Sequence, residues 1–169
     1  MAAALLESKL TERLGAGTVQ IRSSGFGPVD LPAIDDAVDA MRRRGLDVSP
    51  HRSSITTASL VDGADLILTA ERDHVVKIAA LSPDAFGRSM TLPEFLAAAA
   101  SGDDTDSDAD FRTWVRSLTA QRTAGGYLRG DVPEIADPTG SAPRAFEAAV
   151  ADIERLCDEV TAQLVARLG

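Results

Sequence analysis

Few side chains in this sequence could carry out chemistry. Its one cysteine is Cys157, and its two histidines are His51 and His74. A single thiol excludes an intramolecular disulfide, a zinc site built on several cysteines and a dithiol redox relay within the chain. The sequence also has no Gly-rich phosphate loop, no cluster of metal ligands and no Ser-His-Asp signature. Local motifs alone therefore assign no reaction, and we expect neither a metal nor a cofactor.

A run of aspartates lies within residues 101–110. Counted from Asp104, alternate aspartates imitate the start of a calcium-binding loop. The position where that loop needs glycine is Ala109, however, and the position where it needs glutamate is Val115. We therefore interpret residues 101–110 as an acidic, flexible, solvated segment.

Composition and charge narrow the class of protein. The 169 residues are 44% hydrophobic and 25% charged, which predicts a single domain over residues 1–169 with a sizeable core. With 17 basic and 26 acidic side chains the net charge is −9, which argues against a nucleic-acid-binding surface. No apolar run approaches a membrane span, and the N-terminus lacks the basic flank of a signal peptide. We expect a cytoplasmic protein with neither nucleic acid nor a membrane as its partner.

Apolar patterning predicts strands that alternate with helices, and hence an α/β fold with a parallel sheet covered on both faces. Strands are expected around residues 19–22, 66–68 and 90–92. Helices are expected at 1–14, from an Asp30 cap to Gly45, in a short segment ending near Gly63, at 75–81, at 93–100, from Phe111 to Gly125-Gly126, and from a Ser141 cap to the C-terminus.

The last helix has the clearest pattern. Its apolar residues recur at alternating spacings of four and three, at Phe146, Val150, Ile153, Cys157, Val160 and Leu164. This pattern places Cys157 on a buried stripe, where a free cysteine usually acts as a small hydrophobic residue and not as a reactive thiol.

Several stretches, each unspecific alone, form an ordered set along the chain. They are residues 1–6, the Ser23-Ser24-Gly25 turn, GLDVSPHR at 45–52, ADLIL with ERDH at 64–74, and IADP at 135–138. Together they resemble the low molecular weight protein-tyrosine phosphatases. The resemblance implies a three-layer α/β/α fold with a short sheet of four parallel strands. It also implies phosphomonoester hydrolysis through a phosphocysteine, with a phosphotyrosine protein or a small aryl phosphate as substrate.

The family's nucleophile lies in a Cys-x5-Arg-Ser-Pro loop between the first strand and the first helix, where helix N–H groups and the arginine bind phosphate. In the resemblance, Met1 falls where the family has the Met directly after this loop. The first central strand, the nucleophile and the phosphate-binding Arg are therefore missing from these residues. Cys157 occupies a position that the family does not use for catalysis.

Other site residues carry over by resemblance. Asp137 matches the general acid/base, and His51 and Ser23 match positions that support the phosphate loop from behind. A surface-loop histidine is the alternative for His51, and we expect His74 to be an exposed helix residue. Thr139-Gly140 replaces the aromatic pair that often follows the acid in the family. The resemblance therefore does not carry over the aromatic wall that contacts the substrate in the family.

Two interpretations explain the missing loop: a true start upstream of Met1, or a gene that has lost its first strand and survives as a pseudophosphatase or partner-binding module. We favour the first, because loss of a central strand exposes the hydrogen-bonding edges of its neighbours. No Ser, Thr, Asp or Asn precedes the first helix to cap its free N–H groups, and this also favours a true start upstream of Met1. On either interpretation we expect residues 1–169 to be inactive. An arsenate reductase of the same fold would need further cysteines.

Overall fold

The computed structural model describes residues 1–101 and 109–169. Its elements are, in chain order, α1 (Ala2–Leu14), α2 (Asp35–Arg42), α3 (Ala58–Gly63), β1 (Ile67–Thr69), α4 (Arg72–Leu81), a 3₁₀ helix (Pro83–Arg88), β2 (Ser89–Thr91), α5 (Leu92–Ser101), α6 (Phe111–Ser117), α7 (Ala124–Arg129) and α8 (Pro143–Leu168). They belong to two compact units, one made of Met1–Thr56, Asp137–Arg167 and Gly169, the other of Thr57–Ala136 and Leu168.

The first unit is built on α1, α2 and α8. The stripe predicted on α8 is buried along its whole length, and Cys157 has no exposed surface. Helix α1 is joined to α8 by an ion pair between Lys9 and Asp158 at 2.5 Å. Helix α2 is joined to α8 through Arg44, whose guanidinium contacts Glu147 at 2.9 Å and Glu154 at 2.7 Å.

The second unit contains the parallel strand pair. Strands β1 and β2 pair in parallel, with Leu68 beside Met90, and α4 lies in the connection between them. Fully or almost fully buried side chains form the core, among them Val75, Ile78, Met90, Phe95 and Val115. The α/β fold class with a short parallel sheet is confirmed.

A mostly buried arginine, Arg122, contacts the 3₁₀ helix, β2 and α7 in this unit. The guanidinium of Arg122 stacks on Phe86 at 4.1 Å and on Tyr127 at 4.7 Å from the ring centroids. It also donates hydrogen bonds to the Glu94 carboxylate at 3.0 Å and to the Ser89 carbonyl at 2.9 Å. The positive charge of Arg122 is thus paired with the carboxylate of Glu94, and both side chains are largely removed from water.

The strand predicted at residues 19–22 is wrong. Among the described residues, this segment has no backbone partner, and regular pairing nearby is limited to a single parallel bridge between Gly25 and Ile55. An alternating apolar pattern makes a strand only where a second strand satisfies its backbone.

The predicted start of the second helix is also wrong. Asp30 does not cap a helix but has a φ of 60°, and its N–H donates to the Ser53 carbonyl at 2.8 Å. Pro32 forms an antiparallel bridge with Arg52, and α2 begins only at Asp35. Tertiary hydrogen bonds to the Ser53 segment therefore override the local capping signal.

Two helix ends differ from expectation further along the chain. Gly125 and Gly126 lie inside α7, since α6 ends at Ser117 and Thr123 caps a new helix by accepting a hydrogen bond from the Gly126 N–H. At the start of α8 the cap position is Ala142 and not Ser141, with Pro143 as the first helical residue. Most of the acidic segment predicted at 101–110, namely residues 102–108, lies outside the described residues.

Candidate active site

The carboxyl ends of β1 and β2 are crossed by residues 133–135. The Ile135 N–H donates to the carbonyl of Ala70, which directly follows β1, at 2.9 Å. The hydroxyl of Thr91, the last residue of β2, donates to the Pro133 carbonyl at 2.7 Å. In α/β folds this edge of a parallel sheet is where ligands bind. The structure thus brings the chain to that edge two residues before Asp137.

Two more bonds tie the same segment to the start of α4. The Glu134 carboxylate accepts a hydrogen bond from the backbone N–H of Arg72 at 2.6 Å. The Arg72 guanidinium donates in turn to the Gly130 carbonyl at 3.1 Å. Sequence reasoning singled out neither residue for this role, because one glutamate in a loop carries no periodic or motif signal.

Asp137 lies in an exposed turn that leads to α8. Its carboxylate accepts a hydrogen bond from the Thr139 N–H at 2.9 Å, while Gly140, with a φ of 78°, reverses the chain. The backbone N–H of Thr139 and then its side chain lower the pKa of Asp137 below its ordinary value. In this arrangement the carboxyl group of Asp137 is ionised at neutral pH.

His51 and Ser23 line one groove of about 260 Å³. The groove lies between residues 23–28 and 51–54, which are joined by the Gly25 N–H donating to the Ser54 carbonyl at 2.9 Å. The hydroxyl of Ser54 donates to the Ser23 carbonyl at 3.0 Å. Both sequence-predicted residues are exposed here, whereas Asp137 does not line this groove. His74, expected to be exposed, is half-buried in α4.

The groove also contains hydroxyls that sequence reasoning did not select. Ser24, Ser53 and Ser54 line it beside Ser23. The Ser24 hydroxyl shares a hydrogen bond of 2.9 Å with that of Thr56, and the Ser53 hydroxyl donates to the Pro28 carbonyl at 2.8 Å. The paired serines at 23–24 and 53–54 are the signal in the sequence that could have identified them.

Cys157 is not placed for nucleophilic chemistry. Its side chain is fully buried, with Sγ 3.9 Å from the Ala2 carbonyl oxygen. Burial raises the pKa of its thiol to about 11. The residue six positions further on is Gln163, so Cys157 does not begin a Cys-x5-Arg motif.

We found no metal site or membrane-spanning helix in the part of the chain that the structure describes. In residues 1–101 and 109–169, His, Cys, Asp and Glu side chains form no group of three that could hold an ion. None of the helices in these ranges combines the length and the hydropathy that a bilayer span requires.

Comparisons with known proteins agree with the fold. The chain is 30% identical over 79 residues to the low molecular weight protein-tyrosine-phosphatase Etp of Escherichia coli K12, covering 46% of this chain and 53% of Etp. It is 36% identical over 95 residues to the probable phosphatase EpsP of Ralstonia nicotianae, covering 56% of this chain and 61% of EpsP. The matches span little more than half the length of these curated relatives.

Similar solved structures share the fold over a longer stretch. The YwlE arginine phosphatase of Geobacillus stearothermophilus superposes with a TM-score of 0.65 at 24% identity, covering 96% of this chain and 82% of that one. The family model described as low molecular weight phosphotyrosine protein phosphatase matches residues 1–110. Since this match takes in most of the chain, we assign the protein to the low molecular weight phosphotyrosine protein phosphatase family.

Proposed function

We propose that this chain is the larger part of a phosphomonoesterase that acts on phosphotyrosine or a small aryl phosphate, with Asp137 as general acid and base. The observation that carries the proposal is the path of residues 133–135 across the carboxyl ends of β1 and β2. In a parallel sheet this is the edge where a phosphate group would bind.

The proposed reaction needs a cysteine that residues 1–169 do not contain. A thiolate attacks phosphorus and the P–O bond to the leaving group breaks, while Asp137 gives its proton to the leaving oxygen. Water then attacks the phosphocysteine, the Asp137 carboxylate takes a proton from that water, and inorganic phosphate and the thiolate are released. Asp137 starts this cycle protonated, because a phosphate dianion beside it raises the pKa that Thr139 lowers in the free protein.

We propose that a segment preceding residue 1 supplies the first strand and the Cys-x5-Arg loop. Two features support this. In the described residues β1 pairs with β2 alone, and its Leu66–Leu68 run is only half-buried. Segment 19–22 also has no backbone partner there. His51 and Ser23 would then support the phosphate loop from behind with their polar groups.

Substrate preference follows from the residues after Asp137. Thr139 and Gly140 offer no aromatic ring to stack on a phenyl group, and a solved structure of the same fold is named an arginine phosphatase. We therefore propose phosphoarginine as the second candidate substrate. The chain extended by its upstream in-frame residues decides between the two, when its kcat/KM is compared for a phosphotyrosine peptide and a phosphoarginine peptide of the same sequence.

The general-acid role is tested by the leaving group, on the chain extended by its upstream in-frame residues. Asp137→Asn should lower kcat for phenyl phosphate by about 10² to 10³-fold, because a phenolate leaves poorly without a proton. For 2,4-dinitrophenyl phosphate, whose leaving group needs no proton, kcat should change far less. Asp131→Asn removes the same charge from the preceding loop and is the control. An equal loss with both substrates would contradict the role of Asp137.

A further inference from the structure

The groove at His51 is bounded on one side by part of an exposed loop, residues 23–31, which we call the wall loop. Each residue of the wall loop is exposed or half-buried, and Val29 and Leu31 are 53% and 51% exposed. Burial of apolar surface therefore contributes little to the conformation of this loop. Hydrogen bonds to residues 53–56 hold it in place instead.

Ser53 holds the second half of the wall loop. Its N–H donates to the Leu31 carbonyl at 2.9 Å, and its carbonyl accepts a hydrogen bond from the Asp30 N–H at 2.8 Å. Its hydroxyl donates to the Pro28 carbonyl at 2.8 Å and accepts from the Leu31 N–H at 3.0 Å. The hydroxyl of Ser53 thus acts as donor and as acceptor within a single turn of the wall loop.

Ser54 holds the first half of the same loop. Its hydroxyl donates to the Ser23 carbonyl at 3.0 Å, and its carbonyl accepts a hydrogen bond from the Gly25 N–H at 2.9 Å. We call Ser53 and Ser54 the serine clamp, because these adjacent residues hold the two ends of one loop. His51 lies just before the clamp in the chain and lines the groove together with it.

The backbone of Asp30 indicates why the wall loop needs such a clamp. Its φ of 60° lies in the left-handed region, which is unfavourable for a residue with a Cβ atom. The N–H groups on both sides of its Cα atom, those of Asp30 and Leu31, are bound to Ser53. A strained conformation in an exposed loop persists only where surrounding contacts impose it, and such strain concentrates at functional sites.

We propose that Ser53 and Ser54 are positioning residues for the groove. They fix the wall loop so that Ser23 and the Gly27-Pro28 turn stay beside His51. This role rests on the proposed function of Ser23 and His51, which is to support the phosphate loop. The clamp acts through hydrogen bonds to the backbone of the wall loop.

The first measurement is amide hydrogen exchange, followed by NMR. Ser53→Ala should speed exchange of the Leu31 N–H about tenfold or more, because the deleted hydroxyl is its acceptor. Exchange of the Asp30 N–H should rise several-fold, since the turn around it loosens. Ser54→Ala should speed exchange of the Gly25 N–H several-fold, because the bond next to it, to the Ser23 carbonyl, is lost.

The second measurement follows the NMR signals of the His51 ring, with the His74 ring in the other unit as internal reference. Ser53→Ala should shift the His51 signals, because the Gly27-Pro28 part of the wall loop moves. Glycine adopts a positive φ without the cost of a Cβ atom. The double variant Ser53→Ala/Asp30→Gly should therefore return the His51 signals most of the way to their wild-type positions, although it also lacks the hydroxyl.

Ser8→Ala is the matched control, because Ser8 is an exposed serine of α1 whose hydroxyl makes no hydrogen bond among the described residues. It should change neither measurement, and an effect equal to that of Ser53→Ala would overturn the proposal. Unchanged exchange in Ser53→Ala would do the same. So would a His51 shift that persists in the double variant, because the hydroxyl would then act on the ring directly and not through the wall loop.

Neither measurement involves hydrolysis. A phosphatase assay can therefore disprove the proposed function while the exchange pattern and the rescue of the His51 signals still stand. The failure of the serine clamp and the failure of the proposed function are thus distinguishable.

Discussion

The hydroxyl of Thr91 donates a hydrogen bond to the Pro133 carbonyl at 2.7 Å, which ties the end of β2 to the segment that leads to Asp137. Thr91 is fully buried, so its own hydroxyl has no access to water. The contact joins the buried end of β2 to residues 133–135 within one unit.

Replacing Thr91 with valine tests this contact. The change keeps the shape of the side chain but leaves the Pro133 carbonyl without its donor, which should cost about 1 to 2 kcal/mol in the free energy of unfolding. Urea denaturation measures the loss, and hydrogen exchange should show residues 134–136 opening more often. Thr161→Val, which removes a buried hydroxyl bonded to the Cys157 carbonyl within α8, is the control. Equal exchange of residues 134–136 in both variants would refute the link.

Loss of the Arg122 guanidinium should destabilise the protein strongly. Arg122→Ala leaves the mostly buried Glu94 carboxylate without its partner and removes the stack on Phe86, at an expected cost of about 3 kcal/mol. Arg122→Lys keeps the charge but loses the planar contacts, so its cost should be intermediate. The comparison is Arg155→Ala, which breaks an exposed pair with Glu159 and should cost about 0.5 kcal/mol or less. Similar unfolding midpoints for Arg122→Ala and Arg155→Ala would show that the buried cluster contributes little.

Cys157 should make stability depend on alkaline pH. Burial raises the pKa of its thiol to about 11 from an ordinary 9.0, so the folded state binds the proton more tightly than the unfolded state. The contribution is therefore fully present below pH 9 and is lost as the pH rises through about 11, with a total of roughly 3 kcal/mol. Cys157→Ala should flatten the stability profile between these pH values, as measured by urea unfolding at a series of pH values. Parallel profiles for the two proteins would contradict this assignment.

Sequence periodicity predicted the elements in which the apolar pattern of the sequence matches the face that is buried in the fold. Patterns confined to one element predict the buried stripe of α8 with Cys157, the short helix that ends at Gly63, and the strands near Leu68 and Met90. The predictions are wrong where residues far away in the sequence determine the local backbone structure. Asp30 is held by Ser53, and residues 19–22 lack a strand partner among the described residues.

The candidate site could be predicted only in part from the sequence. Asp137, His51 and Ser23 were selected by resemblance, and the structure brings Ser23 and His51 to one groove. The bond between Glu134 and the Arg72 N–H joins residues 62 positions apart, which no local pattern encodes. Likewise Thr91 meets Pro133 across 42 positions.

Hydrolysis of an aryl phosphate by residues 1–169, measured beside the chain extended by the in-frame residues encoded upstream, tests the account most directly. We predict no turnover above background for residues 1–169, because Cys157 is buried and protonated. The extended chain should carry a short apolar strand and Cys-x5-Arg-Ser-Pro, and should turn over substrate with a kcat that falls at least 10²-fold on Asp137→Ala. Turnover by residues 1–169 would show that the nucleophile lies elsewhere. An upstream sequence without this motif, or an inactive extended chain, would contradict the phosphatase proposal and favour a non-catalytic binding module.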